Sequence, residues 1–199
     1  MIGIIDYGAG NLLSVKKALD FLQVKNRIIH SPQDLEGMEK ILLPGVGAFQ
    51  SAVQKLKEKG LFDPVKAWLE TNNPFLGICL GMQILFPESE EAPGVKGFAV
   101  FPGHVARFTQ YKVPQIGWNQ VSLVTPSKIG KGIVDGQNFY FLHGYYVQPK
   151  NKDIIVGKTD YGVSYPSIIA SSNIYGVQFH PEKSGTAGLS LLHTWVMSC

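Results

Sequence analysis

The chain has 199 residues, 45% of them hydrophobic and 17% charged, and a formal net charge of +3. This composition is typical of a globular protein with a full core and excludes a disordered chain, while the near balance of charge argues against a nucleic-acid-binding surface or a polybasic membrane patch. The length favours one domain over residues 1–199, because no repeat, linker or low-complexity segment divides the sequence.

The cysteines and the apolar segments indicate the cellular compartment in which the protein would work. Cys79 and Cys199 are far apart and neither belongs to a CxxC pair, which argues against a disulfide framework and a structural zinc site. The N-terminus lacks the basic start of a secretion signal, and no apolar stretch is long enough to span a membrane. We therefore expect a reduced, cytoplasmic protein that holds no metal.

The N-terminal part of the chain alternates short apolar runs with helical patterns. Strands are predicted at Ile2–Ile5, 27–30, 41–43 and 75–78, and helices near 12–22, 52–56, 65–69 and 80–86. Strands that alternate with helices indicate a parallel sheet covered on both faces. Ligands bind at the carboxyl ends of such strands, so the residues after Ile5, Leu43 and Ile78 are the first candidates for a site.

The C-terminal part carries short β-type runs and one final amphipathic helix, near 189–196. Strands are predicted at 104–108, 118–123, 139–147, 153–156, 167–170 and 174–179. Turn-rich segments such as 148–153 separate these runs, so several should pair as antiparallel hairpins. The predicted fold class is α/β, a single domain with a central, mostly parallel sheet flanked by helices and with antiparallel hairpins in its C-terminal half.

Cys79 is the candidate nucleophile. It lies in the segment GICLG, at the point where a predicted strand becomes a helix, and Gly77 and Gly81 leave room for a sharp, strained turn that exposes the side chain. A helix N-terminus stabilises a thiolate, and the backbone N–H of Leu80 is placed to bind an oxyanion. The alternative is a buried apolar cysteine in an ordinary turn, which is also our interpretation of Cys199.

His180 and Glu182 are the candidate base and its orienting carboxylate. In an extended segment, positions two apart point to the same side, so Glu182 can accept from one imidazole nitrogen while the other faces the thiol. An HxE motif also occurs in zinc deaminases, but their PCxxC partner motif is absent from this sequence. A turn histidine beside a solvated glutamate is the remaining alternative.

Two glycine-rich loops follow predicted strands, at 6–11 and 43–49. Neither contains a GK[ST] sequence or a full GxGxxG, so both are weak nucleotide motifs. Each can be a turn without further function. The second loop ends a strand that is predicted to lie beside the cysteine strand, so it can also supply a backbone N–H donor that faces the thiol.

Several motifs together resemble the triad-type, or class I, glutamine amidotransferases: GICLGMQ at 77–83, HPE at 180–182 and the glycine loop after Leu43. Within that family, DYGAGN at 6–11, PGVGAF at 44–49 and PQIGWN at 114–119 are similar to the glutaminase subunits of imidazole glycerol phosphate synthase. The resemblance implies a flavodoxin-like fold, hydrolysis of L-glutamine without a cofactor, and a heterodimer with a (β/α)8-barrel cyclase subunit that receives the ammonia for histidine biosynthesis.

The resemblance also implies a role for each matching residue. Cys79 would attack the carboxamide and form a thioester, His180 would carry the proton, and Glu182 would orient His180. The oxyanion donors would be the N–H groups of Leu80 and Val46, the second of which turns inward only when the partner has bound its own substrate. The positions that would hold glutamine are Gly47, Gln83, Glu91, Gly144 and Tyr145, and those at the cyclase interface are Asn11, Trp118, Tyr140 and Lys183.

Each of these roles has a simpler alternative from the sequence alone. Trp118 and Tyr140 can be core aromatics, Lys183 a solvated lysine, and Gln83 and Glu91 residues on a helix surface. The chain could also be an amidotransferase that supplies a different synthase, or a silent binding module that kept the fold.

Two positions depart from the pattern of the family. Gln115 stands where a histidine is usual, and Gly144 stands where Ser or Thr is common. Since Gly144 would act through its backbone, we expect these changes to affect the interface and the basal activity more than the reaction.

Overall fold

The computed structural model describes residues 1–8 and 11–199, so Ala9 and Gly10 of the first glycine loop lie outside the described part. The strands are β1 Ile2–Ile5, β2 Asn26–Ile29, β3 Lys40–Gly45, β4 Phe75–Cys79, β5 Gly103–Arg107, β6 Gln115–Leu123, β7 Gln137–His143, β8 Tyr145–Pro149, β9 Ile155–Asp160, β10 Ser164–Ser171 and β11 Ile174–Val177. The α-helices are α1 Leu12–Phe21, α2 Phe49–Glu58, α3 Phe62–Glu70, α4 Leu80–Gln83 and α5 Gly185–Ser198.

Within the described ranges, nine strands form one sheet in the order β2-β1-β3-β4-β11-β10-β9-β6-β7. The first five strands of that order pair in parallel, and the rest pair antiparallel. β5 and β8 form a second, two-stranded antiparallel sheet. This architecture confirms the predicted α/β class, with its parallel centre and its antiparallel C-terminal half.

The alternation of side chains along the central strands separates two hydrophobic cores. On β3, Ile41 and Leu43 point into one core, where α2 and α3 pack, while Leu42 points into the other, where α1 and α5 pack. These side chains are fully buried. Helices therefore cover both faces of the parallel strands, and only the carboxyl ends of those strands remain open for a site.

The register of β4 with its two neighbours places the loops of interest side by side. β3 pairs with β4 so that Gly45 lies opposite Cys79. β11 pairs with β4 on the other side, with Val177 opposite Ile78. The segment after β3, the turn after β4 and the segment that leads to His180 therefore meet at one edge of the sheet.

Several predicted elements were wrong in their extent: the strand expected at 153–156 begins only at Ile155, after a short 3-10 helix, and the strand expected at 174–179 ends at Val177. The single strand expected at 139–147 is two strands, because β7 ends at His143 in the main sheet and β8 begins at Tyr145 in the small sheet. The helix expected at 80–86 ends at Gln83. The carbonyls of Ile84 and Leu85 instead accept hydrogen bonds from Phe98 and Val100, so these residues join a loop. No α-helix in the described part of the chain has the length and apolar character needed to cross a membrane.

Lys40 joins the start of β3 to the end of α5. Its ammonium group donates to the backbone carbonyls of Trp195, at 3.1 Å, of Val196, at 2.8 Å, and of Cys199. These carbonyls lie at the end of the helix, where only the Trp195 carbonyl also accepts from a backbone N–H, that of Cys199, at 3.3 Å. A cation there also interacts favourably with the negative end of the helix dipole.

We expect Lys40→Gln to lower the free energy of unfolding by about 1 kcal/mol, because the last turn of α5 loses a charged donor. Urea unfolding followed by circular dichroism measures this change. The matched control is Lys66→Gln, since Lys66 is exposed and reaches Glu70 only at 3.8 Å, and such surface pairs contribute about 0–1 kcal/mol. Equal effects of the two substitutions would contradict the assignment.

Candidate active site

Cys79 occupies a strained turn between β4 and α4. Its backbone angles are φ +53° and ψ −107°, a combination that costs a non-glycine residue about 1–3 kcal/mol. The turn also brings backbones very close together: a Cβ on Gly77 would lie 2.4 Å from the Gly81 carbonyl oxygen, and a Cβ on Gly81 2.0 Å from that of Leu43. The structure confirms the sharp turn and the reason for both glycines.

His180 and Glu182 form a buried pair in the segment after β11. The imidazole Nδ1 lies 2.9 Å from Glu182 Oε1, and both side chains are only 1% exposed. The side-chain amide of Asn11 also donates to Glu182 Oε1, at 3.4 Å. The backbone N–H of His180 donates to the Tyr140 carbonyl, so the segment is attached to β7. Neither residue is the solvated turn residue of the alternative interpretation.

The surroundings of His180 favour its charged form. Burial lowers the pKa of the imidazole, but the negative charges of Cys79 and Glu182 outweigh burial and raise it to about 10. The second ring nitrogen, Nε2, is buried and has no hydrogen-bond partner among the described residues. An imidazolium at this position stabilises negative charge on the Cys79 sulfur.

A cavity of about 350 Å³ lies above Cys79, which is the size of a small-molecule site. Its walls contain all five residues predicted to hold a substrate and both predicted oxyanion donors. The lining residues are Val46, Gly47, Cys79, Leu80, Gln83, Glu91, Arg107, Val113, Pro114, Leu142, His143, Gly144 and Tyr145.

Gln83 and Glu91 are held by contacts of their own and are not free surface residues. The Gln83 side chain is 5% exposed and donates to the Tyr145 carbonyl at 2.9 Å. Glu91 accepts from the backbone N–H of Phe49, the first residue of α2, at 2.8 Å. Both side chains thus position backbone segments of the cavity wall as well as facing the cavity.

Val46 follows β3 and lies near the buried hydroxyl of Tyr7. Burial, followed by the charge of Cys79, raises the pKa of Tyr7, and the backbone N–H of Val46 opposes this increase. The Tyr7 hydroxyl itself is buried and makes no hydrogen bond to another described residue, so it does not fix the direction of the Val46 N–H. Its use as an oxyanion donor stays a prediction.

The residues predicted at the partner interface lie together on one face. Trp118 is 59% exposed, so it is not a core aromatic. Its ring lies 6.2 Å from that of Tyr140, and the Lys183 ammonium is 5.8 Å from the centre of the same tyrosine ring. Asn11 reaches this face through its contact with Glu182. The exposed aromatic face therefore adjoins the His180–Glu182 pair.

Sequence reasoning missed a buried network beside the cavity. Gln115, noted only as a departure from the family, is 3% exposed and lies 2.9 Å from the Tyr165 hydroxyl. That hydroxyl is 3.2 Å from His143 Nε2, and His143 Nδ1 is 2.8 Å from the Tyr145 carbonyl oxygen. The strand pattern around Tyr165 gives no signal of this contact, because it depends on the pairing of distant strands.

Two other residues near Cys79 were also missed. Gln178 donates its side-chain amide to the Cys79 sulfur at 3.5 Å. Arg107 and Glu91 are the charged residues in the described cavity wall. The position of Gln178 could have been inferred from the predicted strands, since a parallel strand that brings His180 to the cysteine also brings Gln178 there. In the described part of the chain, no three His, Cys, Asp or Glu side chains form a group that could hold a metal.

His143 should make the protein less stable in acid. Burial lowers its pKa to about 3, and the nearby charge of His180 acts in the same direction, although the bond to the Tyr145 carbonyl opposes both. The unfolded chain binds a proton at this residue below about pH 6.5, whereas the folded chain does not do so until about pH 3, so stability decreases through this interval.

We expect wild type to lose up to about 1.4 kcal/mol per pH unit more than His143→Asn as the pH falls from 6.5 to 4.5. Urea unfolding at several pH values measures the difference. The control is His193→Gln, at an exposed histidine, which should follow wild type. Parallel pH curves for wild type and His143→Asn would refute the buried, neutral imidazole.

Comparisons with known proteins agree with the geometry of this site. A family model described as "Glutamine amidotransferase class-I" matches residues 3–198. The chain is 46% identical over 196 residues to the imidazole glycerol phosphate synthase subunit HisH of Desulfitobacterium hafniense (strain DSM 10664 / DCB-2), covering 98% of this chain and 93% of that protein. It is 47% identical over 197 residues to the HisH subunit of Methanocaldococcus jannaschii, covering 98% of each.

Solved structures support the fold. A crystal structure of a glutamine amidotransferase has a TM-score of 0.77 at 18% identity and matches 98% of this chain and 99% of its own. The structure of PurLQS from Thermotoga maritima also has a TM-score of 0.77, at 16% identity, and matches 98% of this chain and 96% of its own. With a family model over nearly its whole length and HisH relatives at this level of identity, the chain belongs to the class I glutamine amidotransferases and, among them, to the HisH family.

Proposed function

We propose that the chain is the glutaminase subunit of an imidazole glycerol phosphate synthase and hydrolyses L-glutamine to glutamate and ammonia. The observation that carries this proposal is that a strained Cys79, which lines the cavity, has His180 of the buried His180–Glu182 pair as its neighbour, in a chain that belongs to the HisH family. Residues 1–199 would form one glutamine amidotransferase domain, active in the cytoplasm as part of histidine biosynthesis.

The proposed reaction starts with the thiolate–imidazolium pair. The Cys79 sulfur attacks the carboxamide carbon of glutamine, and the carbonyl π electrons move to the oxygen. The N–H groups of Leu80 and Val46 would bind this oxyanion. The His180 imidazolium protonates the nitrogen, ammonia leaves as the C–N bond breaks, and a thioester to Cys79 remains.

Water completes the cycle. Neutral His180 takes a proton from a water molecule, whose oxygen attacks the thioester carbon, and the C–S bond breaks to release glutamate and the thiolate. Glu182 accepts from the imidazole Nδ1 throughout, which fixes the orientation of the ring and stabilises its charge. No metal or cofactor takes part in this sequence.

The chemistry of the cavity wall suits an amino acid as substrate. The α-carbon of glutamine carries an ammonium and a carboxylate, and the wall contains Glu91 and Arg107 as groups of the opposite charges. Gly47, Gly144 and Tyr145 would present backbone groups, and Gln83 its side-chain amide. A glycine at position 144 avoids crowding, since an added Cβ would lie only 3.2 Å from the Val113 side chain.

The partner would be a cyclase subunit with a (β/α)8 barrel, bound as a heterodimer. The HisH relatives are subunits of imidazole glycerol phosphate synthase, and the exposed aromatic face at Trp118 and Tyr140 is the surface we assign to this partner. Asn11 and Lys183 belong to the same face. Because it adjoins His180 and Glu182, ammonia released at Cys79 would leave toward the partner.

We expect Cys79→Ala to abolish glutamate release from glutamine, with a loss of at least about 10³-fold, because the nucleophile is removed. Glutamate is measured for the chain alone and with a cyclase subunit of this synthase plus the nucleotide substrate of that subunit. The matched control is Cys199→Ala at the second free cysteine, which should keep wild-type activity.

The dependence on the partner separates the outcomes of this experiment. Strong activation by the cyclase that disappears in Cys79→Ala is the expected result. High activity without any partner would mean a preformed oxyanion hole and a different ammonia acceptor, and no activity in any mixture would refute the proposed function.

We expect Trp118→Ala to weaken binding of the cyclase by about 30-fold, which is typical of an exposed tryptophan at the centre of an interface. Fluorescence titration or calorimetry measures the dissociation constant. Met197→Ala is the control, because Met197 is 69% exposed and lies roughly 18 Å along α5 from the end that adjoins Lys183. An unchanged constant for Trp118→Ala would place the cyclase on another face.

A further inference from the structure

Gln178 contacts the nucleophile, although the proposed reaction does not use it. It is the residue after β11, and the register of β11 with β4 places it beside Cys79. Its side chain is fully buried, and its backbone N–H donates to the Ser167 carbonyl at 2.9 Å. Its side-chain nitrogen Nε2 lies 3.5 Å from the Cys79 sulfur. A buried glutamine with both ends engaged has little freedom to move.

The orientation of the Gln178 amide follows from a chain of contacts that begins at a backbone carbonyl. The Tyr145 carbonyl can only accept, so the side-chain nitrogen of Gln83, and not its oxygen, must face it, at 2.9 Å. The second N–H of the same nitrogen then faces Gln178 Oε1, at 3.2 Å. Gln178 therefore presents its oxygen to Gln83 and its N–H group to the sulfur.

We propose that Gln178 is a further catalytic residue, an inference that rests on the proposed function. Its amide N–H stabilises the Cys79 thiolate, and its orientation is set by Gln83 and the Tyr145 carbonyl. The thiol and the thiolate have different partners at this site. The protonated sulfur can donate to the Leu142 carbonyl at 3.6 Å, whereas the thiolate loses that bond and accepts from Gln178. A hydrogen bond to a charged group is about twice as strong as one between neutral groups.

The same chain of amides links the nucleophile to the substrate. Both N–H groups of Gln83 are used within the protein, so its carbonyl oxygen is the end left for a ligand in the cavity that Gln83 lines. A glutamine that donates to this oxygen polarises the Gln83 amide and, through it, the Gln178 amide. Substrate binding would thus strengthen the donor at the sulfur.

Several titratable or charged groups surround Cys79 and act on its thiolate together with Gln178. They come from the segments after β1 and β11, from β7 and β10, and from the cavity wall: Tyr7, Glu91, Arg107, His143, Tyr165 and His180. Since these groups are unchanged in a Gln178 variant, the difference between variants isolates the effect of the amide.

The test is the pH dependence of alkylation of Cys79 by iodoacetamide, in a Cys199→Ala background that leaves one thiol. We expect the midpoint of the rate profile to rise by about one pH unit in Gln178→Leu, which corresponds to a tenfold loss of thiolate at low pH. Gln178→Glu, of nearly the same shape, should raise it further because a carboxylate repels the thiolate. Gln54→Leu, at an exposed glutamine on α2, is the control and should not move it.

A midpoint that rises from wild type to Gln178→Leu and again to Gln178→Glu is a result that a merely structural role would not produce. If Gln178→Leu fails to fold, the isosteric Gln178→Glu is compared with wild type instead. Equal midpoints for wild type and both variants would overturn the role of Gln178. Glutamate release with the cyclase, measured on the same proteins, should fall at least tenfold in Gln178→Leu. If the wild type hydrolyses glutamine but the Gln178 variants keep its midpoint, this inference alone is refuted. If the midpoints of the variants shift but the wild type hydrolyses no glutamine, the proposed function alone is refuted.

Discussion

The parallel pairing of β4 with β11 is the constraint on which the candidate site depends. A sheet register advances one residue at a time, so the opposition of Val177 to Ile78 also determines which residues lie beside each other just beyond the two strands. Gln178 comes next to Cys79, and His180 is reached two residues later. A slip of one residue would bring Phe179 to the sulfur in place of Gln178. The backbone ladder, and not a contact between the functional side chains, therefore determines which groups meet at the cavity.

The two buried histidines show how the same side chain acquires opposite properties within one site. His180 faces a carboxylate and a thiolate, and its pKa is raised to about 10 despite burial. His143 faces a carbonyl and a hydroxyl, and burial lowers its pKa to about 3. Since His143 is then neutral and donates from Nδ1, its Nε2 must accept from the Tyr165 hydroxyl. In the structure the Tyr165 hydroxyl faces Gln115 Oε1, at 2.9 Å, but it has only one proton, so donating that proton to His143 requires the Gln115 amide to present its NH₂ group instead. A glutamine can fill this place because its amide offers either a donor or an acceptor.

Sequence reasoning worked best where a short segment contains its own explanation. The strained turn at Cys79 follows from Gly77 and Gly81, and the alternation of strands and helices predicts the parallel sheet. Reasoning failed where strands far apart in sequence decide the outcome. The run at 139–147 has one continuous β pattern, yet the chain changes sheets at Gly144 because β7 pairs with β6 and β8 pairs with the distant β5. The roles assigned to the cavity residues stay predictions, and Gln178 was missed because its contact with Cys79 depends on the pairing of β11 with β4.

The position of β4 in the sheet has a consequence for synthesis of the chain on the ribosome. β4 lies between β3, which precedes it closely, and β11, whose Gln178 is 99 positions from Cys79. At roughly 5–20 residues per second, about 5–20 s pass between the emergence of these two strands. During that time the nascent β4 has one open, apolar edge with the nucleophile at its end, and such edges can pair with other chains. This edge therefore stays available to other chains until β11 covers it.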